Sequence, residues 1–96
     1  MRKIEIIIPT EHLEPVIELL DQNDVEGYSM LEVNDGKGLK QGRMMGVNLS
    51  GSRRTLVIVI CPDDRAQSIA PSLADVVSRH EGIAWSSAVE RMVPAR

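Results

Sequence analysis

At 96 residues the chain has room for one small domain and not for two. It is 43% hydrophobic with no Phe, one Trp and one Tyr, so any core must be aliphatic, and its 26% charged content is that of an ordinary globular protein. A net charge of −3 argues against a nucleic-acid partner, the single Cys61 excludes an internal disulfide, and no apolar run is long enough to span a bilayer; together these predict a cytoplasmic protein without membrane insertion.

Lys3 to Ile8 is isoleucine-rich and stops at Pro9, which predicts a first strand. Basic residues precede this run, but it is too short for a secretory leader and contains Glu5. Thr10 is placed to cap a helix in which Leu13, Val16, Ile17 and Leu20 recur at helical spacing, opposite Glu14, Glu18 and Asp21. Pro15 weakens its first turn. Asn23 to Gly27 reads as a turn and Tyr28 to Val33 as a second strand of mixed polarity. Residues 34–54 show neither a helical nor a strand period. Thr55 to Ile60 is the most β-prone run in the chain and predicts a third strand. Pro62 with Asp63 or Asp64 opens a second helix, whose buried stripe is Ala66, Ile69, Ala70, Leu73, Val76 and Val77. Pro71 lies in that stripe and predicts a kink or break. Glu81-Gly82 makes a turn, and Ile83 to Met92 a fourth strand.

The order is βαββαβ. It specifies an α+β, ferredoxin-like fold over residues 1–96, with an antiparallel four-stranded sheet and a long loop between the second and third strands. The first and third strands are apolar on both faces, as central strands tend to be. Two helices can cover one face of the sheet. On the other face, alternation is expected to place Ile7, Val57 and Val59, and uncovered aliphatic surface of that kind usually marks an interface. So small a domain buries only about 60–65% of its unfolded surface, so association would help it.

The loop is the most informative segment. Residues 34–54 contain five of the seven glycines: Gly36, Gly38, Gly42, Gly46 and Gly51. Against Asp35 they set Lys37, Lys40, Arg43, Arg53 and Arg54, a net charge of +4 that leaves −7 on the remainder. A flexible basic segment in an acidic protein suits an anion or an acidic partner. Glycines also let backbone N–H groups converge on an oxyanion. Asp35-Gly36-Lys37-Gly38 is not a Walker motif, because both the spacing and the following helix are missing. Composition alone leaves a solubilising surface loop equally open.

Collinear segments of the chain resemble the PII superfamily of trimeric signalling proteins. Met1 to Ile8 resembles its first strand. Val25-Glu26-Gly27-Tyr28-Ser29 with Glu32-Val33 resembles the approach to the long T-loop, here 34–54. Pro62-Asp63-Asp64 and the following helix resemble the second half, and Glu81-Gly82-Ile83 the end of the B-loop. The T-loop is shorter than in true PII proteins and lacks the modifiable tyrosine. The B-loop is nearly deleted. Gly27-Tyr28-Ser29 and Asp35-Gly36-Lys37-Gly38 are most similar to the carboxysome-associated, inorganic-carbon-linked PII-like group.

The resemblance implies a homotrimer with a nucleotide in each cleft between subunits. It implies Ile7 and Ser29 near the adenine and Gly36, Lys37 and Gly38 on the phosphates. Gly82 and Ile83 would offer backbone, Arg54 a basic group leading into the third strand, and Arg91 or Arg96 a reach from the neighbouring subunit. The short B-loop favours ADP or AMP over ATP, with cyclic AMP a further candidate. Bicarbonate would take spare donors at Lys40, Gly42 and Arg43. The loop would signal to a target such as a membrane transporter or a carboxysome-related protein.

The remaining residues read as structural. His12 and His80 have no partner at metal-ligand spacing and read as surface histidines. Cys61 reads as a buried inert thiol, and Trp85 as core packing by default, with a subunit or base contact as the alternative. Met44-Met45 fits either a soft partner contact or filler. No catalytic set, metal cluster or resident cofactor is legible, so the chain is not read as an enzyme. Competing readings are a CutA-like trimer, an RNA-binding ferredoxin-like module, and an acylphosphatase-like enzyme. The RNA reading lacks sheet aromatics. The enzyme reading lacks an arginine-bearing loop at Pro9-Thr10-Glu11.

Overall fold

A computed structural model describes residues 1–25, 27–33, 43–44, 47–48 and 53–90 of the chain. Strand β1 (Arg2–Pro9) passes through a 3-10 turn (Thr10–His12) into helix α1 (Leu13–Gln22). Strand β2 (Tyr28–Val33) follows, then two short strands, β3 (Arg43–Met44) and β4 (Val47–Asn48). Strand β5 (Arg54–Cys61), helix α2 (Asp63–Arg79) and strand β6 (Ile83–Ala88) complete the order. The main sheet is antiparallel, ordered β2-β5-β1-β6, so the two most aliphatic strands are central as the sequence requires.

Four local expectations are corrected. Residues 34–54 are not without regular structure, because β3 pairs with β4 through Arg43↔Asn48 and Met44↔Val47. Strands of two residues leave no period in a sequence. Of the kink or break expected at Pro71, the break is absent, because helix α2 is continuous through it. Pro71 and Gln67 are both exposed, so the carbonyl that loses its N–H partner lies beside water. Thr10 makes no cap bond to α1; its hydroxyl instead lies 2.9 Å from that of Thr55. The last strand ends at Ala88 rather than Met92.

A fifth correction concerns the faces of the sheet. Ile4 pairs with Val59 and Ile6 with Val57, and paired residues share a face. Ile4, Ile6, Ile8, Val57, Val59 and Cys61 therefore point at the helices, where they meet Val16, Leu20, Ile69, Leu73 and Val77 in one buried cluster. Val57 and Val59 are not on the open face. Ile7 is, and its companions there are Leu56, Ile58 and Ile60, with Leu31 on β2 and Ile83 on β6.

Helix packing is reinforced by polar contacts at the ends. Asn23 bonds the Leu19 carbonyl at 2.8 Å, and the Arg65 guanidinium donates to the Asn23 carbonyl, tying the end of α1 to α2. Tyr28 packs against the core and donates to Asp21 at 3.4 Å. Cys61 is buried, and burial pushes its thiol up; Asp63 and Asp64 act in the same direction while Arg65 opposes them. The thiolate is thus disfavoured in the folded chain, as an inert thiol requires.

Two measurements check this packing. Ile6 is fully buried, so Ile6→Ala is expected to cost about 2–5 kcal/mol in urea unfolding. Cys61 is expected to resist alkylation at neutral pH in the native protein and to react on unfolding; rapid native labelling would contradict its placement.

Candidate functional site

The open face of the sheet is built in rows. Leu31, Leu56, Ile7 and Ile83 form one row across all four strands. Ser29, Ile58, Glu5 and Trp85 form the next. Leu31 and Ile60 are each 50% exposed, so this face is aliphatic and uncovered in the single chain. Trp85 lies on it rather than in the core, half-buried, with its indole N–H donating to the Glu5 carboxylate at 3.1 Å. The Lys3 ammonium lies 3.5 Å from the same oxygen.

One end of this sheet collects most of the described candidates. Val33, Arg54 and Pro9 are aligned there, so both roots of the 34–52 segment leave beside the end of β1. Arg54 is 4% exposed, which places its charge within this end and not on a mobile surface stem. Ile7 and Ile83 pair one step further in. The turn before Ile83 reaches the same place. Glu81 adopts φ 62°, the Gly82 N–H bonds the Val77 carbonyl at 2.9 Å, and Gly82 lies against Ile7 and Ile8. A Cβ built on Gly82 would stand 3.0 Å from the Ile7 carbonyl oxygen and 3.0 Å from a Val77 methyl. A side chain here would require these neighbours to give way by a few tenths of an ångström.

The loop root is fastened by three polar contacts. The Thr10 N–H donates to the Arg53 carbonyl at 2.9 Å, next to the Thr10–Thr55 hydroxyl contact. The Arg53 guanidinium reaches the Glu32 carboxylate with two nitrogens, each at 2.8 Å. Beside them Thr10, Leu13, Met30, Glu32 and Arg53 line a cavity of about 200 Å³. Sequence reasoning missed Glu32, because its partnership with Arg53 crosses the whole loop.

The structure thus brings together Ile7, Arg54, Gly82 and Ile83. Ser29 does not join them. It is exposed on β2, and β5 lies between it and β1, so the two strand axes stand about 10 Å apart. Arg43 is described only as part of β3, paired with Asn48. Gly36, Lys37, Gly38, Lys40, Gly42, Arg91 and Arg96 lie outside the described residues. Among the described residues there is no group of three metal-ligating side chains, and no helix long and apolar enough to cross a membrane.

Comparison with known proteins follows the same outline. All of residues 1–96 match the family model described as nitrogen regulatory protein P-II. No curated protein matches. Among solved structures, the chain is similar to CPII, a nitrogen regulatory PII-like protein from Thiomonas intermedia K12, bound to ADP, AMP and bicarbonate. That match has a TM-score of 0.72 at 21% identity, covering 98% of this chain and 94% of the other. The same protein bound to ADP, AMP and acetate matches with a TM-score of 0.69 at 24% identity, over 94% and 88% of the two chains. Its apo form matches with a TM-score of 0.69 at 21% identity, over 90% and 85%.

The Gly82 packing gives a direct check. Gly82→Ala is expected to destabilise the fold by about 1–3 kcal/mol in chemical denaturation, because the backbone of β1 cannot move aside. A neutral substitution would show that this turn is not wedged against Ile7.

Proposed function

The chain belongs to the nitrogen regulatory protein P-II family, and on that premise we propose that it is a trimeric, non-enzymatic sensor of adenine nucleotide. ADP or AMP would bind in the clefts between subunits, and bicarbonate beside it. The observation that carries the reading is the meeting of the loop root, Arg54, Ile7 and the Gly82 turn at one end of the sheet. CPII, which has this fold, has been solved with ADP, AMP and bicarbonate.

The position of Ser29 favours clefts over a pocket within one chain. It lies too far from Ile7 to share a base with it in a single subunit, whereas a neighbouring copy could supply it. The open aliphatic face gives copies a reason to associate. Lys37, flanked by Gly36 and Gly38, is the proposed phosphate contact, with Arg91 or Arg96 arriving from the neighbour. Lys40, Gly42 and Arg43 are the proposed bicarbonate donors. Ligand ordering of the loop would expose or hide a docking surface for a target, an order–disorder switch. A role in inorganic-carbon regulation, with a transporter or carboxysome-related protein as target, rests on the resemblance of the Gly27-Tyr28-Ser29 and Asp35-Gly36-Lys37-Gly38 segments. The RNA-binding alternative fits less well, because the open face offers aliphatic rows and one indole already bonded to Glu5.

Calorimetry tests the ligand assignment. ADP is expected to bind the parent, and Lys37→Ala to weaken it roughly tenfold to a hundredfold, the loss of one charge-assisted hydrogen bond. Replacing chloride by bicarbonate at fixed pH and ionic strength should tighten ADP by a factor of about 5–150, and ADP should tighten bicarbonate equally. Unchanged ADP affinity in Lys37→Ala would move the phosphate site elsewhere.

Light scattering tests the assembly. The parent is expected at the mass of three chains, and Ile58→Glu, a charge set in the middle of the open face, at the mass of one. A parent that runs as a single chain at micromolar concentration would remove the cleft and the site with it.

A further inference from the structure

The aliphatic open face has one polar interruption near its centre. Across the sheet its rows read Leu31, Leu56, Ile7 and Ile83, then Ser29, Ile58, Glu5 and Trp85, then Ile60, Lys3 and Ser87. Glu5 lies on β1, which is paired on both sides, so its carboxylate stands inside the face and not at its rim. The side chain is only 20% exposed. Both of its contacts fall on Oε1: the Trp85 indole N–H at 3.1 Å and the Lys3 ammonium at 3.5 Å. Among the described residues the second oxygen, Oε2, has no hydrogen-bond or ion-pair partner.

We propose that Glu5 determines how copies of this chain meet: its second carboxylate oxygen accepts a hydrogen bond from another copy, and only an arrangement that brings that donor is stable. The inference deepens the trimer reading above and rests on it for the existence of an assembly.

The rows themselves point to a second copy as the occupant. The face that holds the acceptor also holds donors, namely the Lys3 ammonium and the hydroxyls of Ser29 and Ser87. A face with donors and an acceptor set among aliphatic rows is complementary to a copy of itself. A partner surface of one charge sign would set a like charge against either Glu5 or Lys3.

The aliphatic rows supply attraction without direction, because burial of apolar surface is nearly indifferent to offset. Leu31, Leu56, Ile7 and Ile83 could slide against a copy in several registers and close rings of several sizes. The carboxylate removes that freedom. Covering it with aliphatic surface strips its water and leaves a charge without a second partner, which costs more than the apolar contact returns. A single buried polar residue fixes register and stoichiometry in coiled coils in the same way. Trp85 is the positioning residue here: its N–H holds Oε1 and leaves Oε2 to face outward.

The test uses the full chain without ligand and two substitutions. Glu5→Leu makes the central row aliphatic. Glu5→Gln keeps size and shape but has one acceptor oxygen, so it cannot serve the indole and a neighbour together. Native mass spectrometry reads stoichiometry, and sedimentation velocity reads the protein concentration at which half the chains are single. The parent is expected at three chains only. Glu5→Leu is expected to associate but to spread over more than one stoichiometry. Glu5→Gln is expected to keep three chains and to dissociate at a concentration about tenfold or more above the parent's, the effect of one buried hydrogen bond left unmade. Glu5→Leu found only at three chains would show that the aliphatic rows alone specify the assembly, and would overturn the proposal. A Glu5→Gln assembly as stable as the parent's would show that Oε2 accepts nothing from a second copy, with the same consequence. If Glu5→Leu fails to fold by circular dichroism, the near-isosteric Glu5→Gln decides. A parent that forms a single assembly of another size corrects the trimer reading and leaves the two variants to decide the role of Glu5. A parent that stays a single chain overturns both.

Discussion

β1 is hydrogen-bonded to β5 along one side and to β6 along the other, and the register of these two ladders decides what every side chain in the sheet does. It puts Ile4, Ile6 and Ile8 under the helices and Lys3, Glu5 and Ile7 on the opposite face. A slip of one residue would exchange the two sets and bury a lysine and a glutamate beneath Leu20 and Leu73. The cost of burying those charges is what holds the register. With β1 fixed, Arg54 must stand beside Pro9 and Ile83 beside Ile7, so the site end of the sheet follows from the core.

How much of this could be read from sequence depended on whether a strand marks its own faces. β1 does, because Lys3 and Glu5 alternate with isoleucines, and Ile7 was placed correctly. β5 reads Thr-Leu-Val-Ile-Val-Ile and is apolar on both sides, so its phase is invisible until it is paired. That is why alternation alone puts Val57 and Val59 on the open face, whereas pairing with β1 puts Leu56, Ile58 and Ile60 there. Thr10 has the chemistry of a helix cap, and only its distant neighbour Thr55 diverts it. Pro71 breaks helices on average, but not where the freed carbonyl meets water.

The candidate site shows the same division. Gly82 stood out in the sequence as a turn residue, yet its necessity comes from the Ile7 carbonyl, a contact between opposite ends of the chain. Glu32 and Arg53 bracket the loop in sequence and close it in space. Neither His12 nor His80 carries a local signal, yet their ring centroids lie 5.0 Å apart, because two antiparallel helices place one's start beside the other's end. Local chemistry was legible, whereas convergence across elements was not.

The placement of Trp85 has a practical consequence. The chain has one indole and no phenylalanine, and its only tyrosine packs on the helix side of the sheet. Selective excitation of tryptophan therefore interrogates the open face and nothing else. The indole is half-buried and hydrogen-bonded to Glu5, a carboxylate that water still reaches in the single chain. Covering that face with a second copy would strip this water from the indole and shift its emission toward the blue. The protein thus carries its own optical gauge of association, read without labels on ligand-free protein.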